Sequence, residues 1–431
     1  MCGSGGSLVD SPAMTPEPAG RRRAPISGWR ILGLATITGA LTGPGQTIGV
    51  SVFVDHFITD LGLSRSEVST AYLIGTLIAA FGLPIIGQRI DARGVRAAMT
   101  AIGLAFGAAL VAMSGVQGFA TLAIGFVAIR LLGQGSLMLV STVTVIQWFH
   151  RRRGTALGVF TTGVSILMSL VPVAVSLVIE AYDWRIAWAA TGVLIWFTVV
   201  PIARFGIADR PREFGRVPDR PADAGDDRKA VGPRAATRGE ALKTGRFWIL
   251  VAAMGSVAML ATALNFHQIS LLGDAGLTPT EAAVMFLPQT IGAALAGIAF
   301  GYMSDRLSGR WLLPITMGLL TASLLLASSL TAGLTVVLYA VVLGSAGGAS
   351  RSIGATLLSR WFGTAHIGAI QGAASFLGVA STAVGPVAFS IARDATGSYE
   401  QAALVFALIP TTVALAALTM RSGLAEKGTV K

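Results

Sequence analysis

The chain is poor in charge. Only 12% of its 431 residues are Asp, Glu, Lys or Arg, whereas 53% are hydrophobic. A soluble domain carries roughly 25% charged residues, so a soluble globular class is excluded. Cysteine is almost absent: Cys2 is alone, and no intrachain disulfide can form. The histidines, His56, His150, His267 and His366, are too scattered to form a metal cluster. H-E-x-x-H and G-x-S-x-G are absent, and so is G-x-x-x-x-G-K-[ST]. The expectation is therefore no enzyme, no cofactor, no metal and no direct ATP drive.

What is present is a series of long apolar runs. A membrane-spanning helix needs about 20 mostly apolar residues. Stretches of that kind occur at 30–54, 67–87, 96–115, 118–148, 155–179, 185–206, 247–271, 280–300, 311–329, 333–358, 366–391 and 399–420. They predict an all-α membrane protein of twelve transmembrane helices. Residues 1–28 are expected to be a disordered cytoplasmic tail. Residues 29–206 and 247–421 are expected to form two six-helix bundles, 207–246 a polar cytoplasmic linker, and 422–431 a second tail.

The formal net charge of +11 suggests nucleic acid until its distribution is read. With the N-terminus inside, 27 of the 32 Lys and Arg fall in cytoplasmic segments and 3 outside: Arg65, Arg185 and Arg393. The remaining 2, Arg130 and Arg351, lie inside spans. This bias orients a multi-pass protein of the cell (inner or plasma) membrane with both termini cytoplasmic, and its partner is the lipid bilayer rather than nucleic acid.

The sequence also repeats. A shift of 214 places Asp60 on Asp274, Gly62 on Gly276, Glu67 on Glu281, Gly87 on Gly301, Asp91 on Asp305 and Pro172 on Pro386. Two parallel six-helix repeats are the plan of carriers that rock about a midplane site.

GQRIDARGVR (87–96) follows the second span, and GYMSDRLSGR (301–310) follows the eighth. This doubled pattern resembles the loop motif of the major facilitator superfamily. The resemblance implies two facing bundles and a conformational latch built from Gly87, Asp91, Arg93, Arg96, Gly301, Asp305 and Arg306. The glycines would permit close helix contact, and Asp91 would pair with Arg93 or Arg96. Charges that simply anchor helix ends at the interface are the alternative. WFHRRRGTALGVFTTG (148–163) is similar to the fifth-helix segment of monocarboxylate transporters at Trp148, Phe149, Arg151, Arg152, Ala156, Gly158 and Gly163. That resemblance implies a bacterial relative of the monocarboxylate and oxalate/formate exchanger group. Where the animal members carry an acidic, Trp- and Gly-rich first helix, this chain reads TGPGQTIG.

In the superfamily, spans one, four, seven and ten line the cavity, which brings Gln46, Arg130, Gln134, Asn265, His267 and Arg351 forward as substrate-binding residues. Gln289 is offered by span eight and Gln371 by span eleven. An intramembrane arginine costs roughly 2.5–3.5 kcal/mol even on insertion scales, so it needs a partner, water or a ligand. No Asp or Glu lies mid-span, so the cavity should be positive and suit a carboxylate. Arg130 either meets that anion or bonds to backbone and first-helix groups; Arg351 either meets it or reaches toward the interface. His267, or the adjacent Asp55 and His56, are candidates for proton coupling. The expectation is a monomeric secondary carrier for a small organic anion, a monocarboxylate, as a proton-coupled symporter or an exchanger. The alternative is an efflux carrier for a larger amphipathic compound or drug.

Overall fold

A computed structural model describes residues 28–149, 153–207, 236–304, 306–363 and 367–420. The described residues are helical and contain no strand. The first half holds α1 (Gly28–Ala40, continued by Thr47–Ser51 and Val54–Leu61), α2 (Arg65–Arg93) and α3 (Val95–Met113). It is completed by α4 (Phe119–Trp148), α5 (Arg153–Ser169 and Val171–Ala181) and α6 (Trp184–Gly206). The second half holds α7 (Gly245–Phe266, continued by Gln268–Asp274), α8 (Pro279–Ser304) and α9 (Gly309–Ala327). Then come α10 (Leu334–Phe362), α11 (Ile367–Thr396) and α12 (Tyr399–Leu418). The helices α2 to α12, 11 in number, are long and apolar enough to cross a membrane.

The first expected span is not one rod. A 3-10 turn over Gly43–Gly45 interrupts α1 at Pro44. The reason is local: proline lacks the N–H and glycine is costly inside a helix. A second irregularity follows in α4, where Arg130–Leu137 is π-helical. The two breaks touch. A Cβ on Gly45 would lie 2.6 Å from the Ile129 carbonyl oxygen, so only glycine lets the α1 turn sit this close to α4.

The repeat is visible in backbone geometry. Gly62 (φ 64°) and Gly276 (φ 90°) both adopt the left-handed conformation that favours glycine. Each is followed by a capping box, Ser64 with Glu67 and Thr278 with Glu281, which satisfies the first backbone N–H groups of α2 and α8.

In the second half, α8 and α10 run side by side in the same direction. A Cβ on Gly344 would meet the Gln289 oxygen at 1.8 Å, and one on Gly348 the Ala293 oxygen at 2.0 Å. Lipid tails are as apolar as leucine, so close backbone packing, rather than apolar burial, drives such helix association. Gly301 is expected from its loop motif to play the same role, and Gly158, Gly372 and Gly378 also lie in long apolar helices. A Cβ at each meets nothing within 4 Å, so none of them makes a close helix contact here. Gly163 and Gly385 do, against Thr36 and the Met259 carbonyl.

The end of the polar linker is ordered, contrary to its aperiodic sequence. Arg238–Leu242 forms a helical turn capped by Thr237 and Glu240, and the Ala236 N–H donates to the Phe362 carbonyl at 3.0 Å.

Candidate functional site

One end of the bundle is sealed by hydrogen bonds between the halves. Asp55 at the end of α1 accepts from Arg65 Nη2 at 2.9 Å, and Arg65 Nη1 donates to Ser270 Oγ at 2.8 Å. Ser270, beyond the break in α7, donates in turn to Asp55 Oδ1 at 2.7 Å. Ser66 donates to Asp394, and Thr280 to Glu180. Ser69 and Ser390 share a hydrogen bond of 2.6 Å between α2 and α11. Between described residues, every hydrogen bond from one half to the other lies at this end. Tyr72 packs against Phe266, with ring centroids 4.7 Å apart and planes tilted by 58°.

His267 belongs to this seal. It is fully buried, with Nε2 3.2 Å from the Pro386 oxygen and 3.1 Å from Ser390 Oγ, and Nδ1 3.4 Å from Tyr399 OH. Its direct partners are neutral. Of the adjacent proton-coupling candidates Asp55 and His56, Asp55 bonds to Arg65 and Ser270.

Arg130 is also buried, at 3% exposure, and already has partners. Nε donates to Thr76 Oγ1 at 3.1 Å, Nη1 donates to the Gly45 oxygen at 3.3 Å, and the guanidinium lies 4.7 Å from the Tyr72 ring centre. Of the two roles open to it, the structure displays the bond to the first helix. The π-helical turn that presents it leaves carbonyls outside the regular ladder, and Ser136 Oγ donates to one of them, Leu131, at 2.7 Å.

Between the halves lies a cavity of about 490 Å³. Its walls come from α5 (Thr161, Thr162, Ser165, Met168), α7 (Ala261, Asn265), α8 (Phe286 to Ile298) and α10 (Leu343 to Ser352), with Ile48 from α1. Among the lining residues Arg351 is the only charged one. It is exposed and has no hydrogen bond or ion pair among the described residues. Gln289 Nε2 donates to Asn265 Oδ1 at 2.8 Å, which leaves Gln289 Oε1 buried without a partner. The cavity can thus offer a positive charge, an amide pair and the hydroxyl-bearing side chains of α5, with Thr290 and Ser352, to one solute; the rest of the wall is apolar side chains and glycine.

The sequence candidates therefore separate. Arg351 and Asn265 meet in the cavity; Arg130, His267, Gln46 and Gln134 do not line it. Gln46 donates to Thr42 at 3.3 Å within α1. The latch is partly outside the described residues: Asp305 is, and so are the side chain of Asp91 and the surroundings of Gly87. Arg96 reaches the Arg204 carbonyl at the end of α6, Arg93 is exposed, and Arg306 stacks on Tyr302 at 4.1 Å. Arg360 donates to the Ser304 oxygen at 3.0 Å, holding the end of α8. The residues that sequence reading missed are Arg65, Ser66, Ser69, Ser270 and Ser390 in the seal, and Thr161, Thr162 and Ser165 in the cavity. Hydroxyls are common in such helices, and only the partner across the seam marks these.

A bundle of membrane-spanning helices, sealed at one end around a central cavity, has the form of a multi-pass membrane transporter. Residues 35–287 match the family profile of the Major Facilitator Superfamily, and the chain belongs to that superfamily. No curated protein matches the sequence. Among solved structures, the fold is similar to a bacterial homologue of the human lysosomal transporter Spinster in an inward-facing, unoccupied conformation. The TM-score is 0.67 at 17% identity, covering 93% of each chain. It is also similar to the nucleoside transporter NupG, with a TM-score of 0.72 at 13% identity, covering 91% of this chain and 99% of that one.

Proposed function

We propose that the protein moves a small organic anion, a monocarboxylate, across the cell membrane by alternating access. The observation that carries this reading is Arg351, a cation without a partner among the described residues, in a cavity whose lining includes no acidic residue. Such a charge is costly inside a membrane and is stabilised by an anionic ligand; a guanidinium binds a carboxylate through two parallel hydrogen bonds. The sidedness of Lys and Arg supports cytoplasmic termini in a plasma or inner membrane. On that orientation the seal is external and the structure represents an inward-facing state.

The lining residues include no Asp, Glu or His. This absence supports exchange of one anion for another over coupling to a proton carried in the cavity. A larger amphipathic substrate remains the second reading, because a volume of 490 Å³ falls within the range of about 300–1,000 Å³ typical of drug-sized ligand sites and much of the wall is apolar.

The test is counterflow of labelled lactate and pyruvate in proteoliposomes. The expected result is saturable anion counterflow, with KM raised at least about tenfold by Arg351→Gln, as loss of a charge-assisted pair predicts. Absence of anion transport together with saturable binding of bulky hydrophobic cations would overturn the reading in favour of the second one.

A further inference from the structure

The packing of α8 on α10 sets the relative depth of two polar groups in the cavity. A Cβ on Gly344 would collide with the Gln289 oxygen, and one on Gly348 with the Ala293 oxygen. A Cβ on Gly292 would in turn meet the Val341 oxygen at 2.3 Å. A Cβ leans toward the N-terminus of its helix and a carbonyl oxygen points toward the C-terminus, so the two sets of contacts together place residue 289 level with Val341 and residue 292 with Gly344. Side chains of an α-helix lean toward its N-terminus. Arg351 does so: its Nη1 lies 3.6 Å from where a Cβ on Gly347 would be. The guanidinium thus reaches the level of Gly347, about six residues from the level of Gln289, or roughly 9 Å along the helix axis; a hydrogen bond of about 3 Å at each end leaves about 3 Å for the solute between them.

At the level of Gln289 stands its amide pair with Asn265. The bond from Gln289 Nε2 to Asn265 Oδ1 uses one donor and one acceptor. It leaves the N–H groups of Asn265 and the buried Oε1 of Gln289, which has no partner. A buried amide oxygen without a donor is destabilising, and such groups in native structures are uncommon enough to require a cause. Gln289 and Asn265 both line the cavity, and the terminal torsion of a glutamine turns easily. A ligand hydroxyl or amide would supply the missing donor and accept from Asn265.

We propose that the Asn265–Gln289 pair is a second substrate anchor. The transported anion is then a carboxylate bearing a hydroxyl or carboxamide within about one helical turn of its charge, not a plain alkyl acid. This inference rests on the reading of Arg351 as the site of the carboxylate. The two anchors divide the work: Arg351 selects charge, and the amide pair selects among acids of equal charge and length.

The experiment measures inhibition of counterflow, and binding by the purified full-length protein, for butyrate, 4-hydroxybutyrate and succinamate. The expected result is that 4-hydroxybutyrate or succinamate binds at least about tenfold more tightly than butyrate, since a site built for a polar group discriminates against analogues lacking it. Gln289→Met and Asn265→Leu should each bring the preferred acid to within about twofold of butyrate measured on the same variant. Arg351→Gln should weaken all three acids alike. Equal binding of butyrate and both polar acids by the unaltered protein overturns the proposal, and this comparison needs no variant to fold. A preference that survives both amide substitutions also overturns it. If the acids do not bind, or Arg351→Gln leaves all three unchanged, it is the anion reading that fails.

Discussion

Ser270 donates its hydroxyl hydrogen to Asp55 across the seam between the halves, with Oγ 2.7 and 2.8 Å from the two carboxylate oxygens. Arg65 binds both residues, so three side chains close one end of the molecule. The pair is partly exposed, with side-chain exposures of 12% for Arg65 and 44% for Asp55. Its contribution is accordingly modest, about 0.5–1 kcal/mol after solvent screening. Asp55→Asn should therefore shift the balance between the closed and open forms of this end by about two- to fivefold. In a Cys2→Ser background carrying Ser165→Cys, labelling by a membrane-impermeant thiol reagent from the outer side should rise by that factor. Unchanged labelling would show that the triad does not hold the seal.

Gly344→Ala should be strongly destabilising. Its added Cβ would overlap the Gln289 carbonyl at 1.8 Å, where backbone must move rather than a flexible side chain. Overpacking of this kind costs about 1–3 kcal/mol. Gly301→Ala supplies the contrast, because nothing lies within 4 Å of its added Cβ. Thermal unfolding in detergent should fall by several degrees for the first and stay unchanged for the second.

Arg130 and Arg351 should respond differently to the same substitution. Arg130 bridges Thr76 on α2 and Gly45 in the α1 turn, and its loss leaves those acceptors unpaired. Arg130→Gln should lower the maximal transport rate and the thermal stability with little change in KM. Arg351→Gln should raise KM with little change in stability, since Arg351 has no partner among the described residues to lose. The split between rate and KM separates positioning from binding. Arg130→Lys should not restore the rate, because an ammonium lacks the planar fork that reaches both acceptors.

The direct partners of His267 are Pro386, Ser390 and Tyr399, within the seal and away from the cavity lining. Exchange should therefore continue when the pH gradient is collapsed, and His267→Gln should not alter the dependence of exchange on pH. Loss of exchange with the gradient would instead assign proton coupling to this protein.

Composition and hydropathy sufficed for the helices and the membrane, because desolvating a charge or a bare peptide group in lipid is so costly that any long apolar run must become a helix. The repeat was equally legible. Gly62 and Gly276 need the same left-handed turn, and Glu67 and Glu281 the same capping box, so local chemistry left its mark twice. The break in α1 falls at Pro44, where the missing N–H interrupts the helical ladder.

Arginine was a different matter. Arg130 and Arg351 look alike in sequence, each a lone cation in an apolar span, and only the tertiary structure separates them. Arg130 sits where the α1 turn and Thr76 offer acceptors, and Arg351 where the Gly344–Gly348 packing opens onto a cavity. The seal is the same case: Asp55 and Ser270 are 215 residues apart, and neither carries a local sign of the other. Periodicity and capping depend on neighbours within one or two turns. Pairing of a buried charge depends on what the fold brings within about 3 Å, which no local pattern records.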